Sequence, residues 1–500
     1  MLLSLLPSLC SILALVLLVG PLVSYWWDRK GLRRFPSPSF AAFSSLWRVW
    51  HNLRHQHYLA VHKAHEQLGT HVRISPNHIS VANQQAAYDI YGHGANMMKE
   101  AFYDSGAGAH RNLADARDKI EHQTKRKMLA HAFAQKTIVG LEPVLIDMLQ
   151  TFVGAVDAHV RSGEPMNIRL YFNYFTIDLL ALILFSKRLG CVSRGNDLVD
   201  AETTEGVVYK TPFIESLHHS LTINVALGME PVFLPWTRWL FRHHPYMRDG
   251  VNFENIIHHN VKARLSQGVT QDDLFTRLLQ DSKGNKLNLS MGELVAECSV
   301  MMNAGTETTT AAMTNTVFLV YTHPRVLAKL RQELDPLFSD KGLPSYEKVS
   351  SCPYLRACTE ESLRVRPPSS MGLPRVVPQG GRTVAGEFIP EGTTVSVPTY
   401  TLLRDGSIFD RPSEYIPERW LTDDSGLKRE MLRSHLPFST GPRACIGRNI
   451  AYFEQTLVIA ALVHHFDLEV PENSQLETQE RFNSNPGNLF VHCKRRDLKV

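Results

Sequence analysis

Cys445 closes the stretch Pro437-Phe438-Ser439-Thr440-Gly441-Pro442-Arg443-Ala444-Cys445 and stands directly before an apolar, helix-favouring run from Ile446 to Phe466. A thiol at a helix N-terminus meets unpaired backbone N–H groups and the positive end of the helix dipole, which favour the thiolate and lower its pKa. Such a sulfur serves as a nucleophile or as a metal ligand. Gly441 permits the positive φ of a tight turn, and Gly447 lets a flat, bulky group approach the backbone. Phe438 would shield the sulfur from water, and Arg443 offers a planar cation to a carboxylate. A lone cysteine is most often buried and inert. The glycines on both sides and the arginine two residues earlier point instead to the thiolate face of a haem.

A second group that could do chemistry is Ala304-Gly305-Thr306-Glu307-Thr308-Thr309. Ser290 with Glu293 forms a capping box and Pro324 marks the next start, so the spacing predicts one helix of about 32 residues, ~48 Å long. Glycine and β-branched threonine are poor choices for its interior. Small residues at 304 and 305 leave room for a ligand, and a Thr hydroxyl returning to a backbone carbonyl opens the ladder to water. Glu307 beside Thr308 then forms a relay for protons. A helix-packing patch of small residues reads the same stretch equally well.

Three further groups stand near these in character. His122 and Arg126 share a face of a helix read from Asp118 to Phe133, where they either reach haem propionates or join Lys125 and Lys127 in a solvated basic surface. Periodicity alone does not choose. Glu361 and Arg364, at i and i+3 on a helix from Tyr354 to Arg366, are close enough to pair. Arg419, in Pro417-Glu418-Arg419-Trp420, would complete a buried charge network with them if every partner is satisfied.

These residues need a scaffold. The 500-residue chain is long enough for a sizeable core, and a net charge of +4 gives nucleic-acid binding no support. Seven scattered cysteines without a C-x-x-C pair argue for a reducing compartment. Met1 to Trp27 carries no charged side chain and is followed by Arg29, Lys30, Arg33 and Arg34, which predicts a transmembrane anchor at 1–27 with the remainder cytosolic. A basic, Pro-rich hinge at 28–40 would lead to one catalytic domain at 41–500. Helical periodicity, broken by Pro165, Pro212, Pro231, Pro235 and Pro245, covers Leu141 to Leu287. Val72–Ile74 with Ile79–Val81 reads as a hairpin, and short strands between Arg375 and Val397 make a small β region. His65-Glu66 lacks the second histidine of a zinc helix, and Gly106-Ala107-Gly108 lacks the third glycine of a dinucleotide loop.

In this order, Ala304 to Thr309, Glu361-Ser362-Leu363-Arg364, Pro417 to Trp420 and Phe438 to Gly447 resemble the oxygen-activating helix, structural Glu-Arg pair, meander and haem loop of the cytochrome P450 haem-thiolate monooxygenases. The resemblance implies that family's mainly α fold with a small β region, behind an N-terminal anchor. It implies haem b, with Cys445 as axial iron ligand and Arg443, His122, Arg126 and Arg375 pairing the propionates beside Phe438. Thr308 and Glu307 would be catalytic, and Glu361, Arg364 and Arg419 structural. A closer resemblance, to fungal benzoate 4-monooxygenases, rests on Tyr91-Gly92-His93-Gly94, Phe102-Tyr103-Asp104, His110-Arg111, Ser370 to Arg375 and Val395 to Thr401. The small Ser105-Gly106-Ala107-Gly108-Ala109 departs from it and implies a roomier pocket and a larger aromatic substrate.

The implied reaction is R–H + O2 + NADPH + H+ giving R–OH, water and NADP+, on an aromatic or apolar molecule, in catabolism or in secondary metabolism. Expected apolar walls are Phe102, Met301, Met302, Met371, Leu373 and Phe490, with Lys99 either exposed or meeting a substrate carboxylate. Electrons would come from an NADPH-cytochrome reductase, with cytochrome b5 as a further donor, docking near Lys125, Lys127, Arg443 and Arg448 at the endoplasmic reticulum membrane. An oxygen-independent isomerase or dehydratase and a non-catalytic haem sensor or electron carrier are the competing readings.

Overall fold

The computed structural model describes residues 19–268, 273–280, 284–338, 342–472 and 474–497. The capping box forms as its sequence requires. Ser290 Oγ accepts from the Glu293 N–H (3.3 Å), and the Glu293 carboxylate accepts from the Ser290 N–H (2.8 Å). It opens a 31-residue helix, Met291–Tyr321, the longest in the fold. Helix Ile168–Phe185 packs along it. That helix is apolar and long enough to cross a membrane, but 83% of it is buried among other elements, so it is a core helix. Where they touch, a Cβ on Gly305 would come within 2.7 Å of Leu180. Gly305 therefore serves helix–helix contact, and only Ala304 is left open to a ligand, which corrects the expectation for that pair.

Phe152 of helix Glu142–Ser162 stacks on Phe172 (5.5 Å between centroids), and with Phe175 they begin a continuous core through Leu457 to Val463 of helix Arg448–His465. Each such ring removed from water contributes about 1.5–3 kcal/mol. Pro212, Pro231, Pro235 and Pro245 stand at or just before helix starts, where a missing N–H costs nothing. The region read as mostly helical also holds a hairpin, Leu198–Glu202 with Val208–Pro212. Gly206, at φ 88°, makes its turn, a local signal that the helical periodicity masks.

A five-stranded sheet runs in the order His71–Ser75, His78–Val81, Thr394–Ser396, Arg375–Val376, Met98–Lys99. Its first two strands form the expected hairpin, and its register sets Lys99 opposite Arg375. The chain is thus mainly helical with small sheets. Residues 19–27 are helical, with Trp26 and Trp27 exposed. Residues 1–18 of the expected anchor lie outside the described residues.

Helix Pro353–Val365 carries the Glu361–Arg364 pair, which is fully buried and fully bonded. The Glu361 carboxylate accepts from Arg364 Nε (2.9 Å) and Nη2 (2.8 Å), Arg419 Nε (2.9 Å), Trp420 Nε1 (2.9 Å) and the Ile416 N–H (3.0 Å). Arg364 also donates to the carbonyls of Leu403, Pro412 and Glu414. One buried carboxylate thereby ties the meander to the helix. Trp420 is a partner the sequence reading did not assign.

Replacing Glu361 by alanine leaves two buried guanidinium groups without an anion, which we expect to cost about 3–5 kcal/mol in denaturant unfolding. A cost under about 1 kcal/mol, as for a surface pair, would contradict this account. Glu454, buried in helix Arg448–His465 with an unbonded Oε2, has its pKa raised by burial to about 8. The folded state then keeps a proton that the unfolded chain releases. Stability is present at low pH and falls between about pH 4.5 and 8, by up to about 1.4 kcal/mol per pH unit. Glu454→Gln is expected to flatten that part of a stability-versus-pH curve.

Candidate functional site

The cysteine loop closes on itself through two short bonds. The Cys445 N–H donates to the Phe438 carbonyl (2.9 Å) and the Ala444 N–H to that of Gly441 (3.1 Å). Gly441 has φ 75°, and a Cβ there would lie 2.0 Å from the Tyr91 carbonyl, so only glycine fits. Phe438 packs with Ala312 of the long helix, Leu363 and Tyr452, where four elements meet. Helix Arg448–His465 begins two residues later than expected, with Gly447 as its N-cap.

Among the described cysteines, Cys445 alone is exposed. Its thiol is walled by protein, and the loss of water raises its pKa above the usual value. The Gly447 N–H, Arg126 and Arg448 oppose that rise without overcoming it. This corrects the expectation that the helix terminus by itself yields a thiolate; coordination to a metal cation deprotonates such a thiol outright.

Across the fold, the long helix presents exposed Ala304 and half-buried Thr308. Thr308 Oγ1 donates back to the Ala304 carbonyl at 2.7 Å, as expected, while the helix runs unbroken through this turn. Glu307 points elsewhere. It is buried, Oε1 lies 2.9 Å from His218 Nε2, and Oε2 accepts from Asn485 Nδ2 at 2.6 Å. His218, on helix Phe213–Gly228, and Asn485 carry no motif of their own and were not read from the sequence.

Beside the loop, basic groups converge. Arg375 is 3% exposed and donates only to the Tyr103 hydroxyl (3.2 Å) and the Pro374 carbonyl (3.0 Å). Arg126 donates to the Ala444 carbonyl (2.7 Å), and Arg443 to those of Ala116 (2.6 Å) and Arg117 (2.8 Å). Among the described residues, no carboxylate forms an ion pair with Arg375, Arg126 or Arg443. Buried His122, lodged on the same helix face as Arg126, has its pKa lowered to about 3 by burial and then by Arg443, Lys99, Arg126 and Arg375. Lys99 belongs to this group too. Its Nζ donates to the Ala114 carbonyl, and burial together with Arg375 and Arg443 drives its pKa far down. It is neither exposed nor free for a substrate.

Other expectations change. Lys125 is paired with buried Glu297 (2.9 Å), and Arg443 is turned inward, so Lys127 and Arg448 are the exposed members of the basic face. Phe490 is half exposed, at the start of the central strand of a three-stranded sheet, and Met302 faces the main core rather than the side of Thr308. A separate apolar cluster consists of Phe102, Tyr103, Val225, Met229 and Met371, with Val49 and Phe482 against it. Met301 and Leu373 are partly buried.

Ser105 does not enlarge a pocket. A Cβ on Gly228 would come within 2.4 Å of Ser105 Oγ, so the two small residues let the loop close on helix Phe213–Gly228, the reverse of the roomier pocket implied earlier. Asp104 holds the loop through Arg111 (2.7 Å) and Arg117 (2.6 Å), and Arg238 donates to the carbonyls of Asp104, Ser105 and Ala107.

Comparison with known proteins agrees with this arrangement. The family model for Cytochrome P450 matches residues 34–498. Benzoate 4-monooxygenase bphA of Aspergillus niger is 31% identical over 504 residues, covering 97% of both chains. The cytochrome P450 monooxygenase ORF11 of Penicillium roqueforti is 30% identical over 472 residues, 93% of this chain and 95% of its own. Averantin hydroxylase of Dothistroma septosporum is 28% identical over 444 residues, 88% and 81% of the two chains. A match of that extent, over a mainly helical fold with an exposed cysteine loop, makes this chain a member of the cytochrome P450 family, an oxidoreductase of the haem-thiolate monooxygenase class.

Proposed function

We propose that this monooxygenase inserts one oxygen atom from O2 into an aromatic or apolar molecule, with Cys445 as the axial ligand of haem b. The residues fit that group. An exposed sulfur stands beside Arg126, Arg375 and Arg443, which have no carboxylate of their own, and a flat dicarboxylate bound through the sulfur would supply the missing anions. That convergence is the observation that carries the reading. His122 would complete the propionate cradle, and Phe438 would cover the sulfur side. Haem, when bound, supplies oxygen reduction and C–H oxidation.

The chain's own residues do the rest. Thr308, bonded to the Ala304 carbonyl, would hold water at that turn and pass protons inward, with Glu307 behind it. Glu361, Arg364 and Arg419 would keep the meander and loop in place. The cluster around Phe102, Val225, Met229, Met371 and Phe482 would hold the substrate by apolar contact and exclude water. Two relatives are named for a benzoate 4-monooxygenase and an averantin hydroxylase, which supports an aromatic substrate and a place in secondary metabolism.

Electrons would arrive from an NADPH-cytochrome reductase, with cytochrome b5 as a further donor, on the face bearing Lys127 and Arg448. A membrane location, with residues 1–27 as anchor and 28–40 as hinge to the catalytic domain, draws support from exposed Trp26, Trp27, Trp50, Val232, Trp236 and Trp239. We propose the cytosolic face of the endoplasmic reticulum.

The test is purified protein with reductase and NADPH, offered benzoate and larger aromatic molecules. A substrate is expected to shift the iron spin state and to yield a product heavier by one oxygen atom, only when O2 is present. Turnover under anaerobic conditions would overturn the monooxygenase reading in favour of an isomerase or dehydratase. Failure of every small lipophilic molecule to shift the spin state would favour a sensor.

A further inference from the structure

The buried side of Glu307 holds a proton arrangement that the structure satisfies in either of two ways. His218 Nε2 lies 2.9 Å from Glu307 Oε1 and also 3.4 Å from Arg169 Nη2. A single ring nitrogen cannot donate to the carboxylate and accept from the guanidinium at once. With the proton on Nε2 the contact to Glu307 is made and the one to Arg169 is lost. With the proton on Glu307, the carboxylic acid donates to Nε2 and occupies its one lone pair, so the contact between Glu307 and His218 is kept in either form.

The other carboxylate oxygen accepts from the Asn485 amide, which has no proton to release at physiological pH. Glu307 is 1% exposed, so among its hydrogen-bond partners only His218 can both give and take a proton. The imidazole itself is not sealed: its side chain is 12% exposed, and no described residue bonds Nδ1.

From this geometry we infer that His218 is the residue that reprotonates Glu307, taking a proton from solvent at Nδ1 and giving one to Glu307 Oε1 from Nε2. The inference rests on the proposed monooxygenase reading and deepens it by naming where the relay meets solvent. The step balances without electrons: the Nε2–H bond breaks, an O–H bond forms on Glu307, and Nδ1 gains a proton from water. The charged groups facing the pair are Arg169 and Arg481. Burial would raise the Glu307 pKa, but His218 and these two arginines together bring it below the usual value, so the carboxylate is the resting form. Protonation removes the charge that holds Glu307 to that cluster and frees it to turn toward Thr308, its neighbour on the helix. His218 thus acts through Glu307, as a positioning residue that also carries the proton.

The experiment uses the full-length haem-loaded protein with its reductase. His218→Gln and His218→Asn both keep an amide donor, at two lengths, and neither can shuttle. We expect both variants to retain the sulfur-ligated haem absorption while the share of NADPH electrons reaching product falls about tenfold and hydrogen peroxide rises. The solvent deuterium isotope effect on product formation should increase, and the pH profile of coupling should lose its histidine limb. In resting enzyme, the infrared carboxyl band assigned by its loss in Glu307→Gln should shift in both variants. Coupling, isotope effect and pH profile equal to wild type in either variant would overturn the relay. Loss of the haem absorption in both would also overturn it, since His218 would then be structural. If the unsubstituted protein lacks the sulfur-ligated absorption, it is the monooxygenase reading that fails instead.

Discussion

Buried positive charge without a counter-ion is the constraint on which this structure turns. Arg375 is nearly inaccessible, Arg126 and Arg443 are bonded only to backbone carbonyls, and His122 and Lys99 are driven toward neutrality by their cationic neighbours. Desolvating a guanidinium without an anion costs several kcal/mol, so folds rarely assemble three together. Here three separate elements contribute them: the helix Lys119–Ala130, the strand Arg375–Val376 and the cysteine loop. An assembly of that kind is a receptor for a dianion.

The opposite solution stands in helix Pro353–Val365 and the meander it holds. Glu361, equally buried, accepts five hydrogen bonds and leaves neither arginine short of an acceptor. A satisfied network holds position, and an unsatisfied one waits for a ligand. The long helix draws on both habits at successive residues. Glu307 is saturated by His218 and Asn485, whereas Thr308, one position on, is half-buried with its hydroxyl folded back on the chain.

Much of this was legible in residue order. The capping box at Ser290, the turn at Gly441, the hairpin before Val81 and the Glu361 pair are local signals whose geometry follows from two or three neighbouring residues. The misreadings share a cause, which is that they depend on a partner far away in sequence. Gly305 looked like space for a ligand until Leu180 filled it, and Ser105 looked like space for a substrate until Gly228 closed on it. Lys99 looked exposed because nothing nearby announces that its strand pairs with that of Arg375. His218 and Asn485 had no signal beyond their types. Cys445 was read as a thiolate from its helix terminus, but loss of water around the sulfur outweighs that field and raises its pKa above the usual value.

The proposed function rests on a bond from the Cys445 sulfur to iron. It is tested most directly by the absorption spectrum of the reduced, carbon-monoxide-treated protein beside its Cys445→His variant. The account predicts the strongly red-shifted band of a sulfur-ligated haem in the unsubstituted protein, and the unshifted band of a nitrogen-ligated haem in the variant. A red-shifted band in both, or in neither, would contradict it.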